Sequence, residues 1–337
     1  MSALTFGDQA HTMMLTRHNF SLKTSMSTVL NEVASGQVAD QGKHLSGDFV
    51  PLAALDRSLT LLNAYDMAAA ESAVMTEVMQ TALNSIADAS GQLVPALVLA
   101  GGAPETTLLR STGGDAREKL EQAISGLNVS GAGRRLFAGA ATDGAAMAPT
   151  QVMMDALTSA VAGLSTADQV IAAVADWFDT PGGGFDTLAY LGADVPMGPV
   201  RLAEGQTLDL TVTAADPALR DVLRGLATAA LLSDESVLLN DVPERAALAL
   251  KTGELLLSAD GPLATLEARV GVTQNRIETL QTENAAQRSV LQIARNALIA
   301  ADPYENATQL EAVQSQLEML YSLTARLSRL SLADYLT

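Results

Sequence analysis

Three histidines, His11, His18 and His44, are the first residues to test for chemistry. His11 and His18 stand seven apart and share a helix face, yet no carboxylate or cysteine lies beside them at metal-ligand spacing, so no metal is expected. Gly131-x-Gly133 opens like a dinucleotide fingerprint, but Leu136 stands where the third glycine belongs and no clear strand precedes it. Pro181-Gly182-Gly183-Gly184 lacks the Lys-Ser/Thr that follows in a P-loop, and no Gly-x-Ser-x-Gly elbow occurs. With 38 Asp and Glu in the chain, pairs such as Asp234-Glu235 arise by chance, and solvated faces explain them better than acid–base work. Asn128-Val129-Ser130 and Asn306-Ala307-Thr308 match the glycosylation acceptor pattern, which carries little weight without a secretory signal. No cofactor and no catalysis are expected, so the chemistry to explain is non-covalent.

That chemistry lies in the helices. From 263 the spacing of three and four runs through Leu263, Leu266, Val270, Thr273, Ile277, Leu280, Asn284, Gln287, Leu291, Ala294 and Leu298. This is a heptad seam with only Thr273, Asn284 and Gln287 polar, and the two amides are of the kind that fix register at a cost in stability. One glycine and no proline fall in 263–300, so a helix of roughly 57 Å is expected. After Asp302-Pro303 the seam resumes at Leu310, Val313, Leu317, Leu320, Thr324 and Leu327. Near the start, Leu15, Leu22 and Val29 repeat every seven residues, with Met26 and Val33 expected on the same side. Seams this narrow need partner helices.

Composition agrees. The 337 residues are 48% hydrophobic but only 4% aromatic, which favours slender helix packing over a deep enzyme pocket. A net charge of −18 disfavours nucleic acid and anionic membranes, which need a basic face. There is no cysteine, hence no disulfide framework. The start has neither a basic n-region nor an apolar h-region, and no apolar run reaches the length of a membrane span. Composition alone reads as cytosolic, and a signal-less export route would leave the same picture.

In order, a helix over 10–35 is expected to end at Ser35-Gly36, with an irregular loop to Pro51. A second helix runs to about 89, followed by an interruption over 91–104 and a short helix over 116–127 capped by Asp115. The stretch 128–143 suits a β-hairpin or tight loop. Two short helices over 150–179 are split at Gly163, with Ser165 or Thr166 capping the second. Strand signals occupy 199–202 and 207–213, where Leu208, Leu210 and Val212 alternate with polar residues. Helix resumes from Pro217 and again from Pro243, and Gly261-Pro262 is placed to kink or break the second of these.

The expected fold is therefore mainly α with a small β-containing insert, elongated, its N- and C-terminal helices paired in an antiparallel coiled-coil bundle. The expected division is 1–36 with 303–337 as the terminal bundle, 37–147 with 217–302 as a helical rod with a hairpin, and 148–216 as an inserted α+β middle domain. Leu15, Leu22, Val29, Leu310, Val313, Leu317, Leu320 and Leu327 form the expected assembly seam, with Leu317 and Leu320 assigned to contacts between subunits.

Three segments resemble the flagellin family, most closely its hook–filament junction members. Ser35-Gly36 is similar to the dipeptide that ends the family's first helix. Gly133-Arg134-Arg135-Leu136-Phe137-Ala138-Gly139 with Thr142-Asp143 is similar to a Gly-x-x-Leu-Phe-x-Gly…Thr-Asp hairpin, which singles out Leu136, Phe137 and Gly139. Leu330-Ser331-Leu332-Ala333-Asp334-Tyr335-Leu336 is similar to the junction members' terminus, and filament flagellins usually end differently. The layout covers nearly the whole chain, although 38–50 lacks the family's Asp-Asp-Pro.

The resemblance implies a non-enzymatic structural subunit of the bacterial flagellum, exported by the type III route without a signal peptide. It would assemble as a ring of its own copies beside the other hook-associated junction protein and flagellin, with an export chaperone as a further partner. Absence of disulfides suits passage of an unfolded chain through a narrow channel. A filament flagellin shares the terminal bundle, a cytosolic coiled-coil adaptor shares the seams, and a helical hydrolase is the remotest alternative.

Overall fold

The computed structural model describes the backbone of residues 6–336 and the side chains of 10–326. Its helices are α1 (Phe6–Ser35), α2 (Gln41–His44), α3 (Val50–Gly102), α4 (Thr106–Leu127), α5 (Thr150–Ala160), α6 (Ala167–Asp179), α7 (Pro217–Ala230), α8 (Val242–Ile299) and α9 (Pro303–Leu336). Strands β1 (Ser130–Gly131) with β2 (Arg134–Arg135), and β3 (Val200–Ala203) with β4 (Gln206–Leu208), form two antiparallel hairpins. The chain is mainly helical with a little β, as the patterning requires. It divides into two compact units, 1–61 with 286–337 and 62–285, where the sequence suggests three parts.

Prolines expected to interrupt helices do not. Pro95 lies inside α3 and Pro262 inside α8. Each removes one i→i−4 hydrogen bond, a loss taken on the exposed face while Leu93, Leu97 and Ala100, or Ala259, Leu263 and Leu266, stay buried around it. Likewise α4 begins ten residues before the expected 116 and runs through Gly113-Gly114. Gly113 serves packing: a Cβ there would strike the backbone of Leu232 and Ser233.

Local signals place the other ends. Thr166 caps α6, its hydroxyl accepting from the Gln169 amide at 3.4 Å. Asp216 caps α7 with Pro217 in its first turn, and most of α7 is buried. The loop 128–143 makes a hairpin through Ala132-Gly133, both at positive φ (49° and 77°), the geometry of a type I′ turn. The strand expected over 207–213 stops at Leu208. The pairing of Val200 with Leu208 would put Pro199 opposite Asp209 and Pro196 opposite Val212, and proline has no N–H to donate. Leu210 and Val212 still point inward, so the alternation holds without the ladder.

The large unit has one core. It gathers Met75, Leu83 and Leu97 of α3, Leu120 of α4, Phe137, Phe178 of α6, Phe185, Leu226 of α7 and Leu263 to Leu280 of α8. Residues 148–216 share this core with the helices on either side of them. Phe185 opens a single π-helical turn (Phe185–Ala189), with its ring under the Arg220 guanidinium at 4.4 Å. Arg245 is wholly buried: it donates to the Leu232 carbonyl and, at 3.0 Å, to Asn240 Oδ1. Burial lowers its pKa, with Glu235 and Asp234 opposing. It holds the turn in which Leu238, Leu239 and Asn240 all have positive φ.

Candidate assembly surface

In the unit formed by 1–61 and 286–337, α1 meets α9. Their antiparallel course follows from the join at their ends. Gly36, at φ 68°, stops α1, its amide bonded to the Glu32 carbonyl at 2.8 Å. Its carbonyl accepts from Ala301 N at 3.0 Å, and Val38 N donates to the Ile299 carbonyl at 3.0 Å. Gln37 thus bridges Ala300 at the α8–α9 junction, and this is the structural work of the Ser35-Gly36 signal. Asp302 caps α9 through its carboxylate, which accepts from Tyr304 N at 2.8 Å and Glu305 N at 3.3 Å. Arg295 of α8 pairs with Asp56 of α3 at 2.6 Å.

Beyond the join the seam is thin. Leu22 packs on Val313, Leu317 and Leu320, flanked by half-buried Leu15 and Met26. Val29 is buried and Leu310 half-buried. The side chain of Leu327, and those of the terminal motif 330–336, lie outside the described residues. One expectation is corrected: Val33 is 53% exposed, although its spacing from Leu22 puts it on nearly the same face of α1. Leu317 and Leu320 pack against α1 of the same chain.

What remains open is a second set of apolar residues that the seam reading missed. On α1, Met13, Met14, Phe20 and Leu30 are exposed, and on α9 so are Met319, Tyr321 and Leu323. Met13 and Phe20 are themselves seven apart, a periodicity visible in the sequence had the polar face been searched for a second stripe. Large exposed side chains on a pair of helices such as α1 and α9 mark a surface that a further helix can cover.

The family-motif residues lie elsewhere, in the large unit. Leu136 and Phe137 are buried in its core, and the Phe137 carbonyl accepts from Ala214 N at 2.9 Å. Gly139 has φ 60°, and a Cβ on it would come within 2.5 Å of the Ala193 carbonyl oxygen and 2.6 Å of that of Val195. The motif is a buried crossing point of three backbone segments. Asn284 and Gln287, the polar seam positions, part company: Asn284 is buried and donates to the Leu202 carbonyl at 2.8 Å, while Gln287 faces out.

Residues 258–336, from the middle of α8 through α9, match the bacterial flagellin C-terminal helical region. A solved structure of a putative flagellar hook-associated protein from Vibrio parahaemolyticus is similar to this chain with a TM-score of 0.53 at 14% identity, over 74% of this chain and 96% of that one. Bacillus cereus FlgL is similar with a TM-score of 0.49 at 18% identity, over 71% of this chain and 96% of that one. No curated protein matches the chain. Fold and matched region together define a flagellin-like helical protein. More particularly, its residues 258–336 are similar to the flagellin C-terminal helical region, and its fold is similar to that of the Vibrio parahaemolyticus protein. No helix among the described residues is long and apolar enough to cross a membrane.

Proposed function

We propose that this chain is a non-enzymatic structural subunit of the bacterial flagellum that joins hook to filament. The observation that carries the reading is the terminal unit: a two-helix seam, built partly from the flagellin C-terminal region, whose outer faces expose Met13, Phe20, Met319 and Tyr321. Such faces gain burial when neighbouring subunits supply the missing helices, so ordering is coupled to assembly. In this reading the terminal bundle of 1–36 and 303–337 makes the axial contacts, and 37–147 with 217–302 and 148–216 are the rod and the inserted middle domain. The seam residues Leu15, Leu22, Val29, Leu310, Val313, Leu317, Leu320 and Leu327 hold the bundle that presents the assembling faces. Partners are further copies of this chain in a ring, the other hook-associated junction protein, flagellin, and a chaperone before export. Export runs through the flagellar type III channel without a signal peptide.

Immunogold labelling of isolated flagella with an antibody to this protein tests the reading. A single band where hook meets filament is the expected result. Label along the whole filament would make the chain a filament flagellin, and flagella without label would leave a cytosolic coiled-coil adaptor.

A further inference from the structure

The chain segment 202–216 and the helix α8 run past each other in opposite directions, joined at successive points. Asp216 Oδ2 pairs with Arg269 at 2.7 Å. Leu210 and Val212 lie beside Val270 and Thr273. Gln206 Oε1 accepts from Arg276 at 2.6 Å, and the Leu202 carbonyl accepts from Asn284 at 2.8 Å. Most of the α8 seam along this stretch is apolar, and apolar contact alone does not distinguish one heptad from the next. Asn284 does. It occupies the heptad position also held by Val270, Ile277 and Leu291.

Leu202 is the matching feature on the other side. The β3–β4 ladder pairs Arg201 with Thr207 and Ala203 with Gln206, skipping Leu202 at a bulge. Its side chain is buried, and its carbonyl takes its hydrogen bond from Asn284. A slip of α8 by one heptad, about 10 Å, would bring Ile277 or Leu291 opposite that carbonyl and leave it unsatisfied. The match is also costly: Asn284 is 1% exposed, and its Oδ1 is buried with no hydrogen-bond partner among the described residues. A leucine there would bury more apolar surface and remove the orphaned amide oxygen, but it would leave the Leu202 carbonyl without its donor.

We propose that Asn284 is a register latch, whose hydrogen bond to the bulged carbonyl of Leu202 makes α8 dock on the β3–β4 hairpin in one heptad register only. The inference is independent of the flagellar reading.

The 337-residue chain has no cysteine, so Gln206→Cys with Arg276→Cys gives a clean pair for a short bis-maleimide, introduced with Asn284 retained and with Asn284→Leu or Asn284→Ala. With Asn284 retained, cross-linking should be efficient. In both position-284 variants the yield should fall at least about twofold as other registers fill. Amide hydrogen exchange of 200–208 should quicken by about tenfold. Circular dichroism reports whether the leucine variant folds, and if it does not, the alanine variant decides alone. Unchanged cross-linking and unchanged exchange in a folded variant would overturn the latch, whatever happens to its melting temperature.

Discussion

In the large unit Phe137, Phe178, Phe185 and Leu226 are sealed from solvent inside a core supplied by several elements. In the terminal unit the seam cluster rests on Leu22, Val313, Leu317 and Leu320, while Met13 and Phe20, on the same helix as Leu22, are 76% and 73% exposed. Two helices have only one mutual face, so whatever apolar residues lie off it stay in water until something else arrives. The large unit also exposes apolar residues, Leu99, Leu257 and Val272 among them, but its interior is closed by elements on several sides. The contrast lies in that interior: many elements seal the core of the large unit, whereas a single two-helix seam serves α1 and α9.

Four outcomes would break or sharpen that contrast. Replacing both Leu317 and Leu320 with Asp puts two charges into the seam that α1 and α9 share among the described residues, and should abolish flagellar assembly while the thermal transition of the large unit survives. Electron microscopy of complemented cells reads the first and calorimetry the second, and full-length filaments from the double variant would mean the seam is dispensable. Phe137→Ala should do the reverse, costing the large unit about 3–5 kcal/mol through a cavity where three segments cross. A denaturant midpoint barely moved by it would show the hairpin is peripheral.

Met13→Ser with Phe20→Ser removes exposed surface only. Folding stability should stay within about 0.5 kcal/mol, yet incorporation into flagella should drop severalfold. Equal incorporation would mean these residues face no neighbour.

The smallest effect belongs to Glu267. Burial raises its carboxyl pKa, with Asp260 and Asp88 adding to the shift. A carboxyl whose folded pKa lies above its unfolded value takes up a proton on folding. Its penalty is therefore complete above the folded pKa, and is relieved as pH falls through the window from there down to the ordinary 4.5. Glu267→Gln should raise the melting temperature slightly at neutral pH and flatten its response across that window, and a lowered melting temperature at neutral pH would contradict this.

Much of this contrast is legible in the residues. The seven-residue spacing of Leu15, Leu22 and Val29, and the seam at Leu310 to Leu320, mark the α1 and α9 faces, because a narrow apolar stripe has one geometric solution on a helix. Gly36 and Asp302 mark the ends, because a left-handed stop and an N-cap need particular residue types. The helices through Pro95 and Pro262 are not legible. A proline's cost is local, whereas the burial that outweighs it comes from residues distant in sequence. The same holds for Gly113, whose purpose exists only where residues 231–233 press against it.

By itself the sequence determined which faces are apolar and that they need partners, since periodicity and capping are properties of neighbours along the chain. Only the tertiary structure decided which partner each face takes. It assigned Leu317 and Leu320 to α1 of the same chain and left Phe20 to solvent. It also chose Asn284 over Gln287 as the buried amide, because the bulged carbonyl of Leu202 reaches one of them alone. Hydrophobic contact is non-directional, so a stripe states that it must be covered without stating by what.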